Sequence, residues 1–407
     1  MLRWLLLFLT FSALADPLEH FNTAGCVPYS LDETFCRTVP QWYLENTGEP
    51  SEVYQNGLVI PSYTEPGGTV DLNLPANRNA RGVVVGVIDT GCEAGHEDMV
   101  DTIIGGCFIS DRGTPVLIEG QYNDFDPDGH GTGLASIIAA SHNGIGMAGI
   151  AEGVKLLIVS TSFSFPELSA GHAAKGIVWL TEHGANIIVF SWGETDQDDA
   201  ALHAACNYAL ARNVMLVSAV GYGRNLNTSP TYPYSWDMPN YLAVSATTRR
   251  DELYPPSSTG ARVVGAPGVR IVMASVGNTY VEDSGTSFAS PMVGGIAAIL
   301  WAQEATRRLP LSFQVSGGQL TLGWVSSAAE FKVYSTDDLL VDFSAWPLVT
   351  TVTNTSVTVP IGAGRRFFSV TAKPSAVELV RRIKVSAVGH PVPGLIGRID
   401  AAAASAP

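Results

Sequence analysis

Three polar residues, far apart in the chain, sit where backbone geometry gives a side chain more than its ordinary chemistry. Asp89 closes the apolar run "VVVGVID" and is followed by Thr90-Gly91, so a carboxylate stands at the end of a buried strand. His130 lies between glycines in "DPDGHGTGLAS", where Thr132 can cap a following helix. The positive end of that helix lowers the imidazole's pKa and favours the neutral form that a general base requires. Ser287 lies in "DSGTSFASPMVGGIAAIL", with Pro291 suited to the first turn of a helix. Free N–H groups and the helix dipole would then point at the serine oxygen, which is half of an oxyanion hole. Taken singly, each residue has a plain structural reading: a turn-forming Asp, a surface His in a glycine-rich turn, an N-cap Ser. Taken together, a hydroxyl, an imidazole and a carboxylate are the parts of nucleophilic acyl transfer.

Such parts need a rigid frame. From Arg81 onward apolar runs alternate with helical patterns: strands at 83–89, 155–160, 185–191, 214–220 and 241–247, helices at 131–141, about 168–183 and 198–212. This alternation predicts an α/β fold, a parallel sheet covered by helices on both faces, with ligand sites at the C-terminal strand ends. After the helix ending near Arg308, the runs "QLTLGWV", "EFKVYST", "TNTSVTVPI" and "RRFFSVTAK" follow without intervening helices. They predict a small all-β, sandwich-like domain over 312–387, similar in pattern to a fibronectin type III module. The remainder, 388–407, ends in low-complexity "DAAAASAP" and reads as a disordered tail.

Composition narrows the class. The 407 residues are 46% apolar and carry 38 acidic against 23 basic side chains, a net charge of −15, which excludes a basic footprint for nucleic acid or an anionic membrane. "MLRWLLLFLTFSALADP" has the short positive start, apolar stretch and small-x-small cleavage site of a signal peptide over 1–15, and is too short to span a bilayer. The chain is therefore expected to be secreted, with no stable membrane insertion and no later spanning segment. An export compartment permits disulfides, and Cys26–Cys36 and Cys92–Cys107 would each close a loop, leaving Cys206 as a buried thiol in a helical pattern. No HExxH or zinc-ligand spacing occurs. Gly86 and Gly91 at the first strand do not satisfy GxGxxG there, which disfavours a nucleotide-binding protein.

The segments "VVVGVIDTG", "DGHGT" and "SGTSFASP", in Asp–His–Ser order, resemble the subtilisin-like serine proteases, the subtilases (peptidase S8 family). "YPYSWDMPNYLAVSAT" and "VVGAPGVRI" also resemble blocks of that family. The resemblance covers 41–309, from "QWYLENTG", with 16–40 as an extended segment before it. It implies a serine endopeptidase acting on proteins or peptides, with Ser287 as nucleophile, His130 as base and Asp89 as orienting carboxylate. It places Ser191-Trp192-Gly193 and Ala219-Val220-Gly221 along the substrate pocket. It also implies a calcium loop in which Asp98 and Asn143 supply side-chain oxygens and Ser141, Ile145 and Met147 supply carbonyls. A solvated glycine-rich turn is the equal alternative there.

Two departures bear on function. The second histidine often seen after the catalytic one is Gly133 here. More serious, the strand that ends in Gly-Asn in the family, whose amide stabilises the oxyanion, ends here in "VSAVGYGRN". The Tyr222 phenol, the Asn225 amide carried in by a rerouted glycine loop, or the Ser287 N–H alone are the three arrangements open. Sequence favours Asn225, which has the family's functional group. The alternative to an enzyme is a catalytically weakened relative that binds peptides or serves a structural role.

Overall fold

A computed structural model describes residues 72, 74–110, 116–119, 126–161, 169–191, 195–317, 319–324, 326, 330–337, 345–360, 367–388, 390 and 392–405, with four short strands before them. These strands, β1 (Val27–Pro28), β2 (Phe35–Arg37), β3 (Glu52–Gln55) and β4 (Leu58–Pro61), pair antiparallel in that order. The expected signal peptide, Cys26, the Cys36 side chain, Trp192 and Gly193 lie outside the described residues.

The central sheet has nine strands. In chain order they are β5 (Val84–Asp89), β6 (Ile103–Ser110), β7 (Val116–Glu119), β8 (Lys155–Thr161), β9 (Ile187–Phe190), β10 (Met215–Ala219), β11 (Tyr241–Thr247), β12 (Val263–Pro267) and, much later, β21 (Gly397–Arg398). Across the sheet the order is β21-β12-β11-β10-β9-β5-β8-β6-β7, parallel throughout except for the β6–β7 edge pair. The inner strands β5 and β8 to β12 are buried on both faces, and so they read as continuous apolar runs rather than alternating ones. Helices α1 (His130–Ala139), α4 (Thr286–Thr306) and α5 (Ala376–Val388) pack on one face. Helices α2 (Ala170–Glu182) and α3 (Ala200–Ala211) pack on the other. A hairpin, β13 (Ile271–Ser275) with β14 (Thr279–Asp283), lies beside α1 and leads into α4.

The all-β part is also present. Strands β15 (Ser312–Ser316), β16 (Gln319–Gly323) and β19 (Ser356–Pro360) form one sheet; β17 (Phe331–Thr336), β18 (Leu348–Val352) and β20 (Phe367–Ala372) form the other. Leu322, Trp324, Phe331, Val333 and Val370 fill the small core between them. Where a sandwich continuing to 387 and a disordered tail are expected, the chain instead returns to the large sheet. Asn213 receives α5, its Nδ2 donating to the Pro374 carbonyl and its Oδ1 accepting the Ala376 N–H. Beyond α5, β21 pairs with β12, and the short helix α6 (Ala401–Ser405) follows. Ile399 and Ala401 are fully buried. Arg398, 1% exposed, sits 2.9 Å from the Asp251 carboxylate. Ala401 and Ala404, from the run that looks like low complexity, pack in the core.

The cysteines depart from expectation in a way the sheet explains. Cys92 and Cys107 are both buried, but in the two cores on opposite faces of the sheet, so no bridge joins them. Cys206 is the buried thiol expected, and burial pushes its pKa up to about 12, which keeps it unreactive.

The returning segment yields a direct test. Ile399→Ala removes a fully buried side chain and is expected to cost about 2–5 kcal/mol, read as a lowered Tm. An unchanged melt would mean that this segment adds nothing to the core.

Candidate active site

Strands β5, β9 and β10 are neighbours whose registers put Ile88 beside Phe190 and Phe190 beside Ser218. The next residue along each is Asp89, Ser191 and Ala219. Three expected site residues therefore share one edge of the sheet, the C-terminal edge where ligands bind in this architecture.

Helix α1 is brought to that edge by a very close backbone approach. A Cβ on Gly131 would stand 2.2 Å from the Gly91 carbonyl oxygen, so only glycine lets the helix start press against the turn after β5. Thr90 Oγ1 accepts the Gly131 N–H at 3.0 Å and locks the contact. Thr132 is not the cap. The helix begins at His130, preceded by Gly129 in the left-handed region, and the buried Asp126 carboxylate accepts both the Thr132 N–H (2.8 Å) and its hydroxyl (2.9 Å).

This arrangement sets His130 Nδ1 2.7 Å from Asp89 Oδ1. A carboxylate only accepts, so Nδ1 carries the proton and, in the neutral ring, Nε2 keeps its lone pair. The same Oδ1 accepts the Thr90 N–H at 2.8 Å. Burial is the largest influence on His130 and favours the neutral ring. The charge and hydrogen bond of Asp89, with Asp128 and Asp126 behind them, together outweigh it and hold the pKa above the ordinary histidine value. The sequence-based expectation of a lowered pKa is thus corrected: the helix end is surrounded by carboxylates.

Ser287 is the second residue of α4, and the ring of its neighbour Phe288 lies 5.6 Å from the His130 ring. Helix α4 is buried along 286–301. Pro291 is its sixth residue rather than part of the first turn, so its missing N–H strands the carbonyl four residues back. That carbonyl belongs to Ser287. Ser191 Oγ donates to it at 2.8 Å and meets Ser290 Oγ at 2.8 Å. Ser287 Oγ lies 3.5 Å from the Ser191 carbonyl oxygen. The serine is thereby tied to the end of β9 from two directions.

Beyond β10, Val220 is buried and Gly221 and Gly223 take positive φ values of 66° and 74°. The loop is held beside 256–259 by Gly223 N–H to the Pro256 carbonyl (2.9 Å) and Ser258 N–H to the Gly221 carbonyl (3.0 Å). The Asn225 side chain sits in a turn of its own: its Oδ1 accepts the Asn227 N–H at 3.1 Å and its carbonyl accepts from Thr228 and Ser229. It forms a turn running alongside Thr259. Tyr222 points the other way, toward α4.

Asp98 and Asn143 lie in one loop cluster against β14. Asp98 Oδ2 accepts the Met147 N–H (2.8 Å) and faces the Tyr280 hydroxyl (2.7 Å), which also faces Glu97 Oε1 at 2.8 Å. Asp98 Oδ1 is buried with no hydrogen-bond partner among the described residues. Burial raises the Asp98 pKa, opposed by Met147 and Tyr280. Asn143 Oδ1 accepts the Ile145 N–H and its Nδ2 donates to the Glu97 carbonyl. Among the described residues no three His, Cys, Asp or Glu side chains converge as a metal cluster. An orphaned buried carboxylate oxygen is nonetheless what a hard cation takes, and it fits calcium better than a softer metal.

Sequence reasoning missed Asp126, Thr90, Ser290 and Tyr280. Asp126 carried a signal, an Asp four residues before a glycine-flanked His at a helix start; the others depend on contacts between distant segments. The Ser191 link supplies a prediction. Ser191→Ala removes the closer of two hydroxyl donors to the buried Ser287 carbonyl, leaving Ser290 Oγ at 3.3 Å, and is expected to cost about 1 kcal/mol, measured by denaturant unfolding, while Ser191→Thr restores most of it. Equal stability of the alanine variant would show that the carbonyl finds another donor.

Comparison with known proteins gives the family. The chain is 33% identical over 267 residues to the thermophilic serine proteinase of Bacillus sp. (strain AK1), covering 65% of this chain and 62%, less than two thirds, of that protein. It is 33% identical over 225 residues to thermitase of Thermoactinomyces vulgaris, covering 54% of this chain and 76% of thermitase. A solved structure of proteases from Pseudoalteromonas arctica PAMC 21717 matches with a TM-score of 0.58 at 21% identity, over 84% of this chain and 95% of that one, which speaks to the fold alone. The subtilase family model matches residues 80–313, more than half of the 407 residues. With a parallel sheet that gathers Asp89, Ser191 and the start of the serine helix at one edge, the chain belongs to the subtilase family of serine-type endopeptidases.

Proposed function

We propose that this protein is a secreted endopeptidase that hydrolyses peptide bonds through Ser287, His130 and Asp89. The observation that carries the reading is the 2.7 Å hydrogen bond between His130 Nδ1 and Asp89 Oδ1 beside the N-terminus of the serine helix. Ser287 Oγ attacks the peptide carbonyl carbon as its proton passes to His130 Nε2, and the carbonyl π electrons move onto oxygen. Asp89 holds the ring in the tautomer that leaves Nε2 available and stabilises the imidazolium that forms. Return of the proton to the amine nitrogen lets the C–N bond break and leaves an acyl-serine. Water, deprotonated by the same Nε2, then releases the acid and restores Ser287. The Ser287 N–H and the dipole of α4 favour the negative oxygen in both halves. The strand ends at Ser191 and at Ala219, Val220 and Gly221 form two walls of the substrate cleft, with Trp192 and Gly193 between them in sequence. Among the described residues no helix is long and apolar enough to cross a membrane; export rests on the signal-like N-terminus.

Calcium belongs to this reading as a structural ion. Asp98 and Asn143 would hold it with the carbonyls of Ser141, Ile145 and Met147, and it would supply positive charge to the unpartnered Asp98 Oδ1. Bound only by the folded state at 100 times its dissociation constant, such an ion adds about 2.7 kcal/mol. Tm is expected to rise with calcium, and less so in Asp98→Ala. Identical melts with calcium and with chelator would remove the ion from the scheme.

The catalytic assignment is tested with an organophosphonate serine probe, which is expected to modify Ser287 in the folded protein. Folded protein that neither reacts nor cleaves peptides would instead support a binding or structural role. Because the base acts only when neutral and its pKa is raised, kcat/KM is expected to fall as pH drops, with a midpoint above the ordinary histidine value of about 6.5. Asp89→Asn withdraws the largest raising influence, so the midpoint should move down while turnover falls by about 10⁴-fold. An unshifted midpoint with full turnover would separate Asp89 from the reaction.

A further inference from the structure

The start of helix α4 is approached by a group that the proposed mechanism does not use. The Tyr222 phenol oxygen reaches 2.7 Å from the point where a Cβ on Gly285 would stand. Gly285 is the N-cap of α4, two residues before Ser287. A side chain at that cap would collide with the phenol, so the bare backbone leaves the room that Tyr222 Oη fills. Thr286, the first residue of α4, lies next to the phenol oxygen. A phenol has one proton to donate and lone pairs to accept with. A backbone N–H can only donate to the phenol's lone pairs, so the O–H can face a partner in the cleft, and Tyr222 is half exposed, so that partner can arrive from solvent.

The backbone explains why the phenol comes here. A tyrosine in place of a short amide overshoots if the strand end keeps its direction. Gly221 and Gly223, both at positive φ, turn the chain on either side of Tyr222, and a bridge to Ser257 fixes the result. The same turn commits the Asn225 side chain to its own loop, where it accepts the Asn227 N–H. The two polar groups suggested by the sequence thus go to different places, and the phenol is the one that goes to the serine helix.

We propose that Tyr222 is a catalytic residue whose phenol O–H donates a hydrogen bond to the oxyanion of the tetrahedral intermediate, alongside the Ser287 N–H. This rests on the endopeptidase reading above. When Ser287 Oγ bonds to the carbonyl carbon, the π pair becomes a full negative charge on oxygen, and the phenol shares its proton with that oxygen without transferring it. Burial, the largest influence, together with Tyr254 and Asp283 raises the phenol's pKa over the opposition of Thr286, so it stays protonated and able to donate. A hydroxyl placed before the reaction begins requires no reorganisation as charge develops, which is the source of such a donor's effect.

The experiment compares the intact protein with Tyr222→Phe and Tyr222→Leu on a chromogenic peptide, with melts to confirm folding and the organophosphonate probe to count competent Ser287. Both variants are expected to lose about 10²–10³ in kcat with little change in KM. Both should also bind a peptide aldehyde, whose adduct places an oxyanion at the same point, at least 10-fold more weakly, with product-peptide affinity unchanged. A side chain that only packs would move product affinity as well. Tyr222→Phe within threefold of an active parent overturns the assignment and leaves the triad standing. Loss in Asn225→Ala but not in Tyr222→Phe gives the role to the amide and overturns it equally. A parent that is folded, inactive and unlabelled removes the endopeptidase reading, and this assignment with it.

Discussion

A helix that is apolar on every side has to be buried, and burial along 286–301 is the constraint on which the site depends. Buried helix ends cannot leave their backbone groups to water. At the start of α4 the free N–H groups are turned into an anion-favouring position beside Ser287. At Ser287 itself the carbonyl released by Pro291 must also be satisfied, and the Ser191 hydroxyl at the end of β9 does so. Stability and placement are therefore one problem at this residue: the bond that pairs a buried carbonyl also fixes the serine against the sheet edge.

The imidazole is held by a second balance. Removal from water acts against charge on His130, and three carboxylates act for it. The sum leaves a ring that is readily protonated, and oriented because Asp89 accepts from Nδ1. The orientation depends on the absence of a side chain at Gly131, since the helix carrying His130 comes closer to the β5 turn than any Cβ allows. Gly133 serves a related end one turn face away, where a Cβ would stand 2.6 Å from the Met273 sulfur of the neighbouring hairpin. The departure from a second histidine is thus accommodated by hairpin packing.

What was legible in the sequence follows from how local the signal is. The strands ending at Asp89, before Ser191 and at Ala219 are continuous apolar runs, and their identity and direction could be read because parallel strands buried on both faces have that pattern. The spans of α1, α2 and α3 agree within a few residues for the same reason. Strand β6, which contains "IIGG", and the hairpin β13–β14 were not anticipated; glycines and a turn interrupt their runs. The final segment was misjudged because "DAAAAS" has too little apolar volume to announce a core element. Its burial is set by a strand pairing with β12, some 130 residues earlier, together with the Arg398–Asp251 ion pair. The cysteine pairing failed likewise: sequence separation cannot say that a sheet stands between Cys92 and Cys107.

The path of "VGYGRN" shows the same limit at the scale of one loop. Functional-group matching favours Asn225, since an amide N–H is the family's donor. Backbone geometry decides otherwise. Two glycines at positive φ flank Tyr222, and a residue between two such turns projects its side chain to one side of the loop while its successors run away from it. Asn225 then meets its own chain first, and an asparagine that can accept a backbone N–H two residues on will form that turn. A long phenol projected from the same strand end reaches the helix cap that the shorter amide cannot reach from farther along. The proposed donor rests on position along the strand rather than on functional-group identity.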